Sequence, residues 1–226
     1  PLYPVPAEGA VDLLGAMLRR FPHGDQLNRT RAHLLWRAGR TLAAYRMFKA
    51  LAKTRPADSG VKQMLAQAQA KVGLKKQAMI TAEEAAALAP EAPDVQATLG
   101  ELRLAAGDAA RAVYHLKKAV DGRPADAPLL VKMAQACSQA EDHACADKFY
   151  GYALRRDGKL AEAHFGLATS PTVQKEPRRA WRSFARALAL PPGNARYYRA
   201  ASHFLVLQNK KQPAARLMEP ARKIGR

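Results

Sequence analysis

Alanine recurs every 34 residues along this chain, at Ala10, Ala44, Ala78, Ala112, Ala146, Ala180 and Ala214. Two further series keep the same interval. One is small, at Ala32, Ala66, Gly100, Ala134, Ala168 and Ser202; the other runs Met17, Leu51, Ala85, Ala119, Ala153, Ala187 and Ala221. Proline closes the period at Pro22, Pro56, Pro90, Pro124 and Pro192, and Gly158 takes the remaining phase. Self-similarity at a fixed interval marks a stacked repeat array. Inside one period, Asp94 to Pro124 reads as two amphipathic helices around a Gly107-Asp108 break. Small residues let antiparallel helices approach closely, and a bulky residue fills the space beside them. Proline suits the start of a helix but not its middle, so it ends each repeat. One hairpin cannot bury both its apolar faces, so several must stack.

The repeat resembles the tetratricopeptide repeat, a helix-turn-helix of the same length. Leu65-Ala66, Leu99-Gly100, Met133-Ala134 and Leu167-Ala168 fit that family's apolar-small pair. Phe48, Leu116, Tyr150, Phe184 and Met218 fit its large slot, from which Ala82 departs; Arg31 departs from the apolar slot. The resemblance implies an all-α fold: a right-handed α-solenoid of about six helix-turn-helix repeats plus an N-terminal half repeat. The expected array is single and covers 1–226. The half repeat is 7–22, and the full repeats are 25–56, 59–90, 93–124, 127–158, 161–192 and 195–226. Pro171 predicts that the first helix of the fifth repeat ends near Thr169, with an irregular loop from Ser170 to Glu176 before Pro177 opens the second helix. Pro220 predicts a kink or a shortening of the last helix. The phase at both ends predicts that the array continues in a longer protein.

The formal net charge is +18, spread unevenly. Residues 1–58 hold ten Lys/Arg against four acids, residues 93–160 ten against nine, and residues 161–226 thirteen against three. Basic ends favour anionic partners: acidic protein segments, anionic polysaccharide, nucleic acid or a membrane surface. The basic residues lack interleaved aromatics, which argues against a stacking surface for nucleic acid. No run approaches a membrane span in apolar length.

Catalytic motifs are missing: there is no phosphate-cradling Gly-rich loop, no H-E-x-x-H and no G-x-S-x-G. The expectation is therefore a non-enzymatic protein with no cofactor. Cys137, His143 and Cys145 match no common zinc spacing and lack a fourth ligand. Cys137 and Cys145 lie four residues either side of the Glu141 turn. They read either as a disulfide across the hairpin or as two buried thiols. A disulfide would imply an oxidising compartment such as a periplasm.

In the resembling family, first helices line a concave groove that holds a peptide. The resemblance places Gln26, Arg29, His33, Trp36 and Arg37 there from the first repeat, and Gln63, Met64, Gln67 and Lys71 from the second. The third offers Asp94, Thr98 and Glu101, the fourth Lys132 and Gln135, and the sixth Arg196, Arg199 and His203. Trp36 reads equally as core. The N-terminal stretch is basic and aromatic, suited to acidic or C-terminal carboxylate groups. Met64 stands where a chaperone-tail clamp would carry Asn, which argues against that clamp. The leading expectation is a scaffold for a protein or peptide partner. The alternatives are a periplasmic scaffold in exopolysaccharide or pilus export, and an anionic-polymer binder.

Overall fold

The computed structural model describes residues 25–191 and 194–224. The half repeat expected at 7–22 lies outside them. Among the described residues there are thirteen helices and no strand. The chain divides into two compact units, Pro1–Asp108 and Ala109–Arg226.

The N-terminal unit contains α1 (Asp25–Arg37), α2 (Thr41–Thr54), α3 (Ser59–Lys71), α4 (Lys75–Leu88) and α5 (Pro93–Ala105). Helices α1 and α2 form one hairpin and α3 and α4 the next, and α5 packs on α3 and α4. The C-terminal unit contains α6 (Ala109–Gly122), α7 (Ala127–Gln139), α8 (His143–Arg156), α9 (Ala161–Thr169), α10 (Pro171–Gln174), α11 (Pro177–Ala189), α12 (Ala195–Leu207) and α13 (Lys211–Ile224). Here α7 pairs with α8, α9 with α11, and α12 with α13, while α6 packs on α7. First helices begin at Asp25, Ser59, Pro93, Ala127, Ala161 and Ala195, each 34 residues after the last.

The periodic slots are the core. Ala44, Ala78, Ala112, Ala146, Ala180 and Ala214 are all buried, as are Ala32, Ala66, Ala134, Ala168 and Ser202. A methyl group at these positions is all that the facing helix leaves room for. Phe48, Leu116, Tyr150 and Phe184 fill the space beside them, and each is buried. Where Ala82 replaces the bulky residue, Met79, Ala86 and Leu102 close around it with Leu99. The hairpin turns need a left-handed residue at one phase. Gly39, Gly73 and Gly107 supply it, with φ of 72°, 88° and 84°. Glu141 and Asn209 adopt it with φ near 60° despite carrying a side chain, a conformation that costs such a residue roughly 1 kcal/mol. Before three of the described first helices the preceding side chain is an N-cap. Asp58 accepts from the Val61 N–H at 3.0 Å, Asp126 from Leu129 at 3.0 Å and Asn194 from Arg196 at 2.9 Å.

Side chains also tie the closing slot to the following helix. Gln96 Nε2 donates to the Pro90 carbonyl at 2.6 Å, and His164 Nε2 meets the Gly158 carbonyl at 3.1 Å, each six residues on. Burial, helped by Arg186, lowers the His164 pKa even though this hydrogen bond raises it. His164 is therefore neutral at pH 7 and acts as the donor.

One local expectation is corrected, and the shortening half of a second. The stretch Ser170–Glu176 is not wholly irregular. Pro171 opens the single turn α10, with Gln174 N–H on the Ser170 carbonyl at 2.9 Å and Val173 buried beneath. Proline at the first helical position loses no intrahelical bond, so the break restarts as helix. Pro220 does not shorten α13, which runs 14 residues through it, as long as α2, α4, α6 and α8. The missing N–H at Pro220 removes one hydrogen bond, while Ala214 and Ala221 keep the helix docked by their burial.

Cys137 on α7 and Cys145 on α8 are bonded across their hairpin, with Cα atoms 5.7 Å apart. The closed loop is short, so the chain-entropy account gives about 2–3 kcal/mol. Adding reductant should lower the unfolding free energy by about that amount, and a C137A/C145A variant should not respond to reductant. Denaturant unfolding with and without dithiothreitol checks this, alongside a thiol count on the denatured, unreduced chain. Two free thiols in that count would refute the bond.

Candidate functional site

In the N-terminal unit, the first helices α1 and α3 and the start of α5 enclose a pocket of about 390 Å³. Arg29 and His33 enter from α1, Gln63, Met64 and Gln67 from α3, and Asp94 from α5. Phe48 of α2 closes its inner end, with its ring edge-on to His33 at 5.4 Å. These side chains converge because Arg29 and Gln63 share one repeat phase, as do His33 and Gln67, and the two residues on each helix lie one turn apart.

Thr98 is the floor of this arrangement. The residue is 2 % exposed. Its hydroxyl accepts from Gln63 Nε2 at 2.8 Å and Gln67 Nε2 at 2.9 Å, and donates to the Asp94 carbonyl at 2.9 Å. One hydroxyl therefore fixes two carboxamides from the neighbouring first helix. Gln63 is buried and Gln67 half-buried.

Charge is distributed differently from the expected basic groove. Arg29 is ion-paired with Asp58, the carboxylate that caps α3. Burial pushes the Asp58 carboxyl up, but the Val61 N–H and the Arg29 guanidinium outweigh it and hold the pKa below its usual value. Burial, and then Arg29, lower the His33 pKa, so this imidazole is neutral at pH 7. The pocket therefore presents amides, a paired arginine, a neutral histidine and Asp94 rather than a cluster of free cations.

The remaining expected residues are scattered. Trp36 is half-buried and packs on the cluster built around Phe48, Leu51 and Val61. Arg37 and Lys71 are exposed at the ends of α1 and α3, and Glu101 is exposed on α5. In the C-terminal unit, Lys132 is half-buried on α7 and Gln135 Nε2 donates to Glu162 Oε1 at 3.2 Å.

Glu162, which sequence reasoning missed, organises the first-helix face of that second unit. It accepts from the Tyr197 hydroxyl as well as from Gln135, and Arg196 Nη1 lies 3.9 Å away. Phe165 stacks on Tyr197 with centroids 4.5 Å apart, and the Arg196 guanidinium covers its other neighbourhood at 4.8 Å. Burial and then Glu162 push the Tyr150 hydroxyl up to about 12, and the same two causes raise Tyr197. The carboxylate is thus engaged by its own neighbours. Its position could have been read from phase, since Asp94, Glu162 and Arg196 occupy one slot of the repeat.

Among the described residues, no three His, Cys, Asp or Glu side chains converge as a metal site would need. No described helix is long and apolar enough to cross a membrane.

No protein-family model matches the chain, and no curated protein matches it. Solved structures do. A tetratricopeptide repeat protein from Parabacteroides merdae is 14 % identical, with 97 % of this chain and 87 % of that one covered at a TM-score of 0.73. The Cut9–Hcn1 hetero-tetramer of the APC/C aligns with 95 % of this chain and 46 % of its own, at 16 % identity and a TM-score of 0.78. YrrB, described as a TPR protein with an unusual peptide-binding site, is 16 % identical, with 78 % and 91 % covered at a TM-score of 0.60. Likeness at these identities establishes the fold.

Proposed function

We infer that this chain, which has the tetratricopeptide-repeat fold, is a non-enzymatic scaffold that holds an extended segment of a protein partner against α1, α3 and α5. The observation that carries this is the pair of carboxamides anchored on Thr98. Each spends one N–H on the hydroxyl and keeps a carbonyl oxygen and a second N–H. A carboxamide matches a backbone peptide group donor for acceptor, so two of them one helical turn apart suit main-chain recognition. Repeat arrays characteristically provide such surfaces rather than chemistry.

The test is selection of peptides from a random displayed library, followed by calorimetry. Gln67→Ala should weaken selected peptides about tenfold, the value of one to two hydrogen bonds at 1.4 kcal/mol per decade. N-methylation of the contacted peptide bonds should weaken them similarly. Peptides that bind wild type and Gln67→Ala alike would remove the groove assignment.

A second reading, an envelope scaffold beside an anionic polysaccharide, has one observation in its favour. Arg178, Arg179 and Arg182 surround an open depression on α11, with Glu176 as the single carboxylate among the residues lining it. Its compartment argument rests on the Cys137–Cys145 bond, so the thiol count described above bears on it directly.

A further inference from the structure

A second recess lies in the C-terminal unit, on the side of the second helices rather than the first. It holds about 490 Å³, and Val120 of α6 and Leu130 of α7 form its buried floor. Phe149 and Tyr152 of α8 form one wall, with ring centroids 5.7 Å apart and planes at 82°. Arg155 and Arg156, both exposed, stand at the rim. No carboxylate lines the recess. Neither arginine is ion-paired among the described residues. Tyr152 is 36 % exposed and carries Lys148 at 5.7 Å and the Arg155 guanidinium at 4.6 Å from its ring centre.

We propose that this recess docks an acidic peptide segment through one bulky apolar side chain, with flanking carboxylates held by Arg155 and Arg156. The volume suits a side chain the size of leucine or phenylalanine with room for adjoining backbone. Burying such a group against Val120, Leu130 and Phe149 supplies affinity, because apolar area leaves water. The arginines supply specificity. Their planar forks take carboxylates in bidentate fashion, and no carboxylate of the recess competes for them. Stacking on Tyr152 holds the Arg155 guanidinium at the mouth, so less side-chain freedom is lost on binding. An acidic occupant also complements the local cations of the recess, Arg155, Arg156 and the Lys148 ammonium over Tyr152. This site is separate from the α1–α3–α5 groove, and the two can succeed or fail independently.

Fluorescence anisotropy with a dye-labelled Glu-Asp-Phe-Leu-Asp-Glu peptide at 0.15 M salt tests the proposal. Wild type should bind saturably, and R155E/R156E should bind at least tenfold more weakly. Tyr152→Ala should also weaken binding, whereas Gln67→Ala should leave it unchanged. Both arginines are exposed, so the charge-reversed variant should keep the wild-type helical spectrum and melting point. The proposal is overturned if the peptide shows no saturation below millimolar concentration. Equal binding of a peptide with Ser-Gly in place of Phe-Leu would overturn it too, as would wild-type affinity in R155E/R156E. Sedimentation with phosphatidylglycerol vesicles that the variant abolishes and the peptide does not compete would assign the recess to lipid instead.

Discussion

Gly166→Ala should lower the unfolding free energy by about 3 kcal/mol, the upper end of what overpacking costs. A β-carbon at this position would lie 2.1 Å from Cζ of Tyr150 and 2.5 Å from both Cε atoms. Helix α9 therefore passes so close to α8 that the aromatic ring occupies the place of the missing side chain. The ring has nowhere to go, since Tyr150 is 5 % exposed. Alanine would gain roughly 1 kcal/mol of helix propensity over glycine, and the clash outweighs it. Gly151→Ala is the control, because its added carbon meets nothing nearer than an Arg155 nitrogen at 3.8 Å. That variant should be neutral or slightly stabilised. In a Tyr150→Ala background, the cost of Gly166→Ala should disappear, since the two atoms in conflict are no longer both present. Denaturant titration of the four chains measures the coupling. If Gly166→Ala and Gly151→Ala unfold alike, the close approach of α8 and α9 is wrong.

Thr98→Val should cost about 2 kcal/mol and, with it, most of the peptide affinity of the N-terminal unit. Valine has the same shape, so the packing of α5 is kept and only the hydroxyl is lost. The amides of Gln63 and Gln67 then lose their shared acceptor, and that of Gln63 is left buried without one. An unsatisfied buried donor costs more than the hydrogen bond it made. The carboxamides also lose the orientation in which they meet a partner's backbone. Thr98→Ser keeps the hydroxyl and loses one methyl group, so it should bind selected peptides as wild type does. Calorimetry on the two variants separates the two effects. Equal binding by Thr98→Val and Thr98→Ser would show that the hydroxyl does not organise the groove.

Much of the core was legible because each contact in a repeat is made again one period later. Ala44, Ala78 and Ala180 are buried for one reason, and a 34-residue interval exposes that reason without coordinates. The turns at Gly107 and Glu141 were legible as breaks between helices, whereas the left-handed conformation that Glu141 and Asn209 share with Gly39, Gly73 and Gly107 is seen only in the structure. The candidate groove was half legible. Arg29, His33, Gln63 and Gln67 converge as their phase implies. Their electrostatics was not, because Asp58 reaches Arg29 from the cap of the next helix, and desolvation together with Arg29 lowers the His33 pKa. The recess beside Tyr152 went unread because attention to first helices leaves the second helices as mere backing.

The sequence by itself determined the helices, the hairpins and which small residues they close upon, since those depend on a spacing repeated along one dimension. Tertiary structure alone decided what the side chains between repeats do. Gln63 meets Thr98 from 35 residues away and Tyr197 meets Glu162 from the same separation. Those partnerships form only once the hairpins are stacked, because a hydrogen bond depends on distances and angles between side chains that a repeat interval does not specify.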